Sequence, residues 1–172
     1  MRRRLLAVAP VAALVAAALL TGCSGAPDPQ RAPVAGKDRL PAVTLPSIDG
    51  GAPVDLATFK GPAIVNVWAS WCDPCKRELP IYAAYAKQHP GLRVLGIDFQ
   101  DGRKDAATAM MTTAGVSYPV VTDFDGAMRA IGLPKLLLVD ATGKVVLDEY
   151  VEIKSASQLD ALVRAHLPVA AS

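Results

Sequence analysis

The pattern of apolar and polar residues between positions 40 and 168 predicts short strands that alternate with helices. The apolar run Ala63–Trp68 follows Gly61-Pro62, and it is typical of a buried strand. From Leu79 to Lys87 the apolar residues recur at helical spacing, and His89-Pro90-Gly91 then breaks the helix. The chain is therefore expected to contain a buried strand and a helix joined by a short loop.

Further elements are expected on both sides of this pair. A hairpin is predicted in Pro41–Leu56, and a short capped turn of helix in Asp55–Gly61. The later elements are predicted at Leu92–Asp98 (strand), Arg103–Ala114 (helix), Tyr118–Val121 (strand), Asp125–Ile131 (short helix), Lys135–Val139, Val145–Leu147 and Tyr150–Val151 (strands), and from Ser155 onward (helix). A βαβ opening, an αβ middle and a ββα end predict an α/β fold with a mixed β-sheet flanked by helices.

The loop between the first strand and helix carries the candidate chemistry, Cys72-Asp73-Pro74-Cys75. Two cysteines separated by two residues can close a small reversible disulfide, and a strand–loop–helix context indicates redox chemistry. Asp73 and Pro74 suit the first helical turn. Cys72 is thereby placed at the helix N-terminus, where a thiolate pKa falls from about 8.5 to roughly 3.5–7.5. Cys75 is expected to be more buried and to act as the resolving thiol.

The N-terminal region has the pattern of an export signal. Met1–Arg4 is basic, Leu5–Leu20 is apolar, and Leu20-Thr21-Gly22-Cys23 resembles a bacterial lipobox. We expect a signal peptide over residues 1–22 and lipidation of Cys23, which places the protein on the extracytoplasmic side of the cell membrane. The alternatives are an ordinary secretory signal with an incidental cysteine, or an uncleaved anchor. An anchor would give the same compartment.

The remainder divides into a tether and one domain. Residues 23–39 are rich in Pro, Ala and Gly and predict a flexible membrane tether, and residues 40–168 are enough for a single domain. Loss of the signal lowers Lys+Arg from 18 to 15 against 16 acidic residues, so no nucleic-acid partner is expected. With no second Cys or His pair at zinc-ligand spacing, we expect no metal. We also expect no cofactor beyond the disulfide, and a monomer.

Three local patterns identify the chain as similar to the thioredoxin superfamily, and within it to the TlpA/ResA-like branch of membrane-tethered thiol–disulfide oxidoreductases. The first is Val67–Cys75 followed by Glu78-Leu79-Pro80. The second is the segment Asp98–Asp125, which matches a central αβ insertion absent from plain thioredoxins. The third is Gly132-Leu133-Pro134 before a strand ending at Asp140, at the position of the family's cis-proline. The resemblance implies a thioredoxin-like fold for nearly all of the mature domain.

The resemblance also implies roles for individual residues. Pro134 is expected to be cis and to face the disulfide, while the backbone of Leu133 pairs with a substrate peptide. Lys135 stands where the family more often has a small hydroxyl residue. Glu78 is expected to tune the pKa of the resolving thiol or to move its proton, unless it is an ordinary solvated carboxylate. Asn66 stands where plain thioredoxins have a buried aspartate, so that acid is absent from this sequence.

Four residues beside the cysteines complete the predicted site. The substrate-binding surface is expected to include Trp71, Asp73, Pro74 and Leu133. Trp71 is also expected to pack around the site together with Trp68. The charge of Asp73, between the two cysteines, is expected to moderate the stabilisation of a Cys72 thiolate.

The implied function is extracytoplasmic thiol–disulfide exchange with protein substrates. The branch's usual role implies reduction of selected exported proteins, such as apocytochrome c, with electrons from a membrane thiol-transfer protein of the DsbD/CcdA kind. A DsbA-like oxidant is the alternative, because the sequence does not fix the reduction potential. A Sco-like copper-binding module needs a wider Cys spacing and a partner His. A peroxiredoxin needs Thr or Ser and Pro where this chain has Ala69 and Val65.

Overall fold

A computed structural model describes residues 38–168 of the 172-residue chain. The predicted signal peptide (1–22), Cys23 and nearly all of the predicted tether (23–39) lie outside the described residues, so these remain predictions. The elements in chain order are β1 (Thr44–Leu45), β2 (Val54–Asp55), β3 (Ala63–Trp68), α1 (Asp73–Gln88), β4 (Arg93–Phe99), α2 (Lys104–Ala114), β5 (Val120–Asp123), β6 (Lys135–Val139), β7 (Val145–Glu149) and α3 (Ala156–His166).

Five strands form the main sheet in the order β5-β4-β3-β6-β7, and β1 and β2 pair as a separate antiparallel hairpin. Strands β3, β4 and β5 are parallel, whereas β6 runs antiparallel to both of its neighbours. All six residues of β3 are buried. A strand covered on both faces needs a continuous apolar run, which is why β3 was recognisable in the sequence.

Two hydrophobic clusters lie on opposite faces of this sheet. The first joins Ile64 and Trp68 of β3 to buried residues of all three helices, among them Tyr82, Ala107 and Leu159. The second joins the alternate β3 residues to the hairpin and the segments around it, with members Leu45, Leu56, Phe59, Val65, Val67 and Met128. Successive strand residues point to opposite faces, so the helix-covered face of β3 carries Ile64, Asn66 and Trp68.

Two predicted helices are wrong. Asp55–Gly61 forms turns instead, because the Asp55 carboxylate accepts a hydrogen bond from the Ala57 N–H at 2.9 Å. Asp125–Ile131 is also irregular, and its backbone has positive φ at Gly126 (76°) and Arg129 (49°). The predicted strand at Tyr150–Val151 is wrong as well, since β7 ends at Glu149.

The segment between β5 and β6 crosses one edge of the sheet, and we call residues 124–133 the crossover segment. β5 ends at Asp123, at the edge where the parallel strands β3, β4 and β5 all have their carboxyl ends. β6 begins at the same edge, because Lys135 pairs with Val67 near the end of β3. Met128 of this segment is buried in the second cluster, so the segment crosses on the face opposite the helices.

Candidate active site

Cys72 and Cys75 form a disulfide at the N-terminus of α1, at the carboxyl end of β3. Cys72 is the helix N-cap, and the backbone N–H of Cys75 donates a hydrogen bond to the Cys72 sulfur at 3.2 Å. The Cα atoms are 5.2 Å apart. Cys72 keeps 5% of its surface exposed and Cys75 none, so Cys75 is the more buried thiol. A thiolate at Cys72 would be stabilised by this N–H group and by the helix dipole.

The residues around Cys72 differ in exposure. Trp68 is fully buried, as expected of a packing residue, but Trp71 is 50% exposed, so its predicted packing role is wrong. Asp73 begins α1, and Pro74 follows it in the first turn. The Lys76 ammonium lies 2.9 Å from the Asp73 carboxylate, and that hydrogen bond lowers the pKa of Asp73. The cation of Lys76 offsets the negative charge that was expected to disfavour a nearby thiolate.

Glu78 lies inside the protein, one helical turn after Cys75. Its Oε2 accepts a hydrogen bond from the backbone N–H of Ile153 at 2.8 Å. Burial raises the pKa of Glu78 to about 8, and the Glu152 charge adds to that shift while the Ile153 hydrogen bond opposes it. The solvated-carboxylate alternative is therefore wrong. A carboxyl that titrates at about 8 is matched to the pH range of thiol chemistry.

Other polar groups share this helix-covered face without partners. Within residues 38–168, the buried polar side-chain atoms that lack a hydrogen bond are Asn66 Nδ2 and Oδ1, Trp68 Nε1, Glu78 Oε1, Asp98 Oδ1 and the Tyr118 hydroxyl. The Asn66 amide weakly lowers the pKa of Glu78, although neither of its polar atoms completes a hydrogen bond of normal geometry. Cys75 packs in the same cluster as Trp68 and Tyr118. The resolving thiol, Cys75, thus lies in a buried region that contains several polar side-chain atoms without hydrogen-bond partners.

Pro134 follows a cis peptide bond, as predicted. The pairing of Val67 with Lys135 puts Pro134 beside the end of β3, at the sheet edge that carries the disulfide. Leu133 packs partly buried against both clusters. Lys135 is buried, with its ammonium 2.9 Å from Asp148 and 5.0 Å from the centre of the Tyr150 ring. The roles of Pro134 and Leu133 in substrate binding remain predictions.

Asp101 joins the start of the central insertion to the active-site loop, and sequence reasoning missed it. Its Oδ2 accepts from the Ser70 N–H at 2.6 Å, and its Oδ1 accepts from the Arg103 N–H at 3.0 Å. Arg103 Nη2 also donates to the Ser70 hydroxyl at 3.3 Å. Burial opposes the effect of these hydrogen bonds, which lower the pKa of Asp101 overall. Ser70 and Asp101 are 31 positions apart, so no local pattern could have joined them.

Asp98 is a second acidic residue that the sequence did not mark. It is 2% exposed on β4. Burial, together with the Asp101 charge, raises the pKa of Asp98 to about 7.

Within the described residues, no group of three or more His, Cys, Asp or Glu side chains is placed to hold a metal ion. No helix in the same range is long and apolar enough to cross a membrane.

A five-stranded mixed sheet, a Cys-x-x-Cys disulfide at a helix N-terminus and a cis-proline at the same edge of the sheet define a protein of the thioredoxin-fold class. The chain belongs to the Redoxin family, whose profile matches residues 35–163. It is similar to the crystal structure of a thiol:disulfide interchange protein, a thioredoxin family protein from Chlorobium tepidum TLS. The TM-score is 0.64 and the identity is 26%, and the match covers 76% of this chain and 97% of that one. The predicted thioredoxin-like fold is confirmed.

Two curated relatives narrow the resemblance. The chain is 34% identical to the thiol:disulfide interchange protein DsbE of Pseudomonas fluorescens biotype C, over 66% of this chain and 65% of that protein. It is 33% identical to the thiol-disulfide oxidoreductase ResA of Bacillus subtilis (strain 168), over 56% of this chain and 57% of that protein. The matched region thus spans about half to two thirds of these relatives. The predicted resemblance to ResA-like thiol–disulfide oxidoreductases is confirmed.

Proposed function

We propose that this protein is an extracytoplasmic thiol–disulfide oxidoreductase that reduces disulfides in selected exported proteins. The observation that carries the proposal is the Cys72–Cys75 disulfide at the N-terminus of α1, with the Cys75 N–H directed at the Cys72 sulfur. Similarity to DsbE and ResA supports the same activity. Among exported substrates, apocytochrome c is the candidate implied by the branch that the chain resembles.

The proposed reaction is two-step disulfide exchange. In the reduced protein the Cys72 thiolate attacks a substrate disulfide, forms a mixed disulfide and releases one substrate thiolate. The Cys75 thiolate then attacks the Cys72 sulfur, which releases the second substrate thiol and closes the Cys72–Cys75 bond. Two electrons pass to the substrate. In this proposal Glu78, which is buried one turn after Cys75, takes up the Cys75 proton, and its pKa of about 8 supports such a transfer.

The protein is oxidised after each cycle and needs an electron donor. We propose a membrane thiol-transfer protein of the DsbD/CcdA kind, which would reduce the Cys72–Cys75 bond by the reverse exchange. A domain that is held at the membrane by a lipid on Cys23 would remain close to such a donor. Cys72 keeps 5% of its surface exposed and can receive the attacking thiolate, whereas Cys75 has no exposed surface.

The reduction potential of the Cys72–Cys75 pair tests the direction of electron flow. The chain would be equilibrated with glutathione or dithiothreitol buffers of known potential, and its thiols counted by alkylation. We expect a potential closer to the thioredoxin value of about −270 mV than to the DsbA value of about −120 mV. A potential near the DsbA value would instead indicate that the protein oxidises the thiols of its substrates.

A Cys75→Ser variant should trap substrate mixed disulfides, and a Cys72→Ser variant is its control.

Replacement of Cys23 by Ser tests the proposed location. The variant should lose its lipid, and the domain should be released from membranes or its processing should stall. Metabolic labelling with a fatty acid and membrane fractionation measure the two effects. Normal processing with unchanged membrane retention would exclude the lipobox interpretation. This experiment is independent of the redox activity.

A further inference from the structure

The large hydrophobic side chains that are exposed within residues 38–168 all lie at one edge of the sheet. They are Trp71, Phe124, Ile131 and Tyr150, with exposed fractions of 50%, 70%, 91% and 47%. Trp71 follows β3, Phe124 follows β5, Tyr150 follows β7, and Ile131 precedes β6. The topology brings all four of these positions to the edge that carries the disulfide. We call these four residues the apolar row.

Specific contacts hold two members of the row in place. The Asp123 carboxylate accepts hydrogen bonds from the N–H groups of Ala127 at 2.7 Å and Met128 at 2.8 Å, just beyond Phe124. At the other end of the crossover segment, the Ile131 N–H donates to the Tyr150 hydroxyl at 3.1 Å. Between these points Met128 is buried in the core. Phe124 and Ile131 are therefore exposed on a segment that is fixed at both ends.

We propose that the apolar row is a docking surface for an extended, non-native polypeptide segment with apolar residues on both sides of its cysteine. This inference rests on the proposed function, because the disulfide of such a segment would have to reach Cys72. Exposed apolar clusters of this kind mark interaction sites. In this protein the four side chains lie at the same edge of the sheet as Cys72 and Cys75, the only cysteines among the described residues. Apolar side chains that are buried in native proteins become available when a substrate is unfolded.

The backbone next to the row favours an extended occupant. Leu133 lies in the irregular segment just before β6, at the edge of the sheet that carries the disulfide. A peptide strand added beside this segment would supply main-chain hydrogen bonds while apolar pockets bind alternate side chains. From β5 to β7 the row crosses four strand spacings, or roughly 19 Å, which is the length of about six extended residues.

Charges within the crossover segment argue against a lipid occupant. Asp125 and Arg129 lie between Phe124 and Ile131 and are exposed. Asp73 and Lys76 flank the disulfide on the other side and are exposed as well. Insertion of the row into lipid would remove these charged groups from water at a high free-energy cost. A peptide strand can cover the apolar side chains and leave the charges solvated.

The test compares two cysteine peptides that differ only in flanking residues, which are leucine in one and serine in the other. Each peptide carries thionitrobenzoate on its cysteine. When Cys72 of the reduced chain attacks the peptide sulfur, the thionitrobenzoate anion leaves and its absorbance reports the rate. The full chain with Cys23→Ser is the parent protein, so that only Cys72 and Cys75 react. We compare it with a Phe124→Asn/Ile131→Asn variant and with Thr112→Asn, a control on the exposed face of α2.

We expect the parent to react about tenfold faster with the leucine peptide than with the serine peptide at subsaturating concentration. The double variant should bring this ratio near one, while Thr112→Asn keeps it. Exchange with a small disulfide should be equal in all three proteins. Equal rates of the parent with both peptides, or a preference that survives in the double variant, would overturn the docking surface. Failure of the parent to exchange any disulfide would instead remove the proposed function.

Two further measurements separate the remaining occupants. Sedimentation of the parent should give the same mass as the double variant, and vesicles of anionic phospholipid should bind both equally. Self-association that disappears in the double variant would assign the row to a second copy of the chain and overturn the peptide proposal. Vesicle binding that disappears in the double variant would assign the apolar row to the membrane and would likewise overturn the peptide proposal.

Discussion

Glu78 shows how a single buried carboxyl can be coupled to a thiol pair. Desolvation raises the pKa of Glu78 to about 8, close to the ordinary thiol value of about 8.5. Because the two groups lie one helical turn apart, each negative charge disfavours the other. Glu78 and Cys75 in the reduced protein are therefore expected to titrate as a coupled system with macroscopic pKa values.

The Glu78→Gln variant tests this coupling. It keeps the shape of the side chain and removes the charge, so the thiol pair should titrate at a lower pKa. Exchange near neutral pH should nevertheless be slower, because the proton acceptor beside Cys75 is lost. Thiolate absorbance against pH and exchange rates measure both effects. Glu149→Gln, at an exposed position of β7, is the matched control. Superimposable curves and equal rates would leave Glu78 without a redox role.

At the scale of elements, the active-site loop is attached to the central insertion through Asp101. Hydrogen bonds to a charged group contribute about 1.5–3 kcal/mol, and Asp101 makes two of them to backbone N–H groups. We expect Asp101→Ala to lower the free energy of unfolding by that order and to speed amide hydrogen exchange at Ser70–Cys72. Asp101→Asn should restore part of both effects. Asp105→Ala, exposed on α2, is the comparison, and unchanged exchange in the loop would contradict the anchoring role.

The start of β6 is the second element that shapes the site. Pro134 lies beside the end of β3, at the edge of the sheet that carries the disulfide. We expect Pro134→Thr to slow the resolution of mixed disulfides by Cys75, so that complexes with substrate accumulate in this variant although both cysteines are present. Gel analysis under non-reducing conditions measures the trapped complexes. Pro62→Thr, before the opposite end of β3, provides a matched control. Equal amounts of these complexes in the unaltered protein, Pro134→Thr and Pro62→Thr would contradict a substrate contact at Pro134.

Local patterns predicted the elements whose residues determine their own structure. The run Ala63–Trp68 and the helix after Asp73-Pro74 are of this kind, and so is the start of the last helix at Ser155, whose hydroxyl accepts from the Gln158 N–H. The predicted helix at Asp125–Ile131 failed because the side chain of Asp123 holds two backbone N–H groups of that segment in a turn. Helical spacing over seven residues could not reveal this competing hydrogen bond.

The residues of the candidate site also divide into those that a local motif predicts and those whose contacts join distant parts of the chain. The Cys72–Cys75 pair and the cis bond before Pro134 could be predicted because a short motif places each one. The hydrogen bond that Glu78 accepts comes from Ile153, 75 positions away, and the link between Ser70 and Asp101 spans 31 positions. The apolar row joins the ends of four separate strands and has no signature in any single segment. Contacts between distant parts of the chain therefore remained beyond sequence reasoning.

At the scale of the whole molecule, two buried carboxyls make folding stability depend on pH. The pKa of Glu78 rises from 4.5 to about 8 on folding, and that of Asp98 rises from 3.8 to about 7. Each group binds its proton more tightly in the folded protein. Its stabilising effect is therefore complete below the unfolded-state pKa and is lost as the pH rises through the folded-state pKa. The cysteines do not contribute to this titration in the oxidised protein.

We therefore expect the oxidised chain to be more stable at pH 5 than at pH 8. Each group contributes at most about 1.4 kcal/mol per pH unit in the interval where it is charged only in the unfolded state. Urea unfolding at several pH values measures the slope, with the Cys72–Cys75 bond kept closed. Glu78→Gln should flatten the slope up to about pH 8 and Asp98→Asn up to about pH 7, whereas Glu149→Gln should leave it unchanged. The carboxyls whose pKa is lowered, such as Asp101, act in the opposite sense but below this interval, as the pH falls under about 4. A stability that is constant or rises between pH 5 and pH 8 would show that Glu78 and Asp98 are ionised in the folded protein at neutral pH.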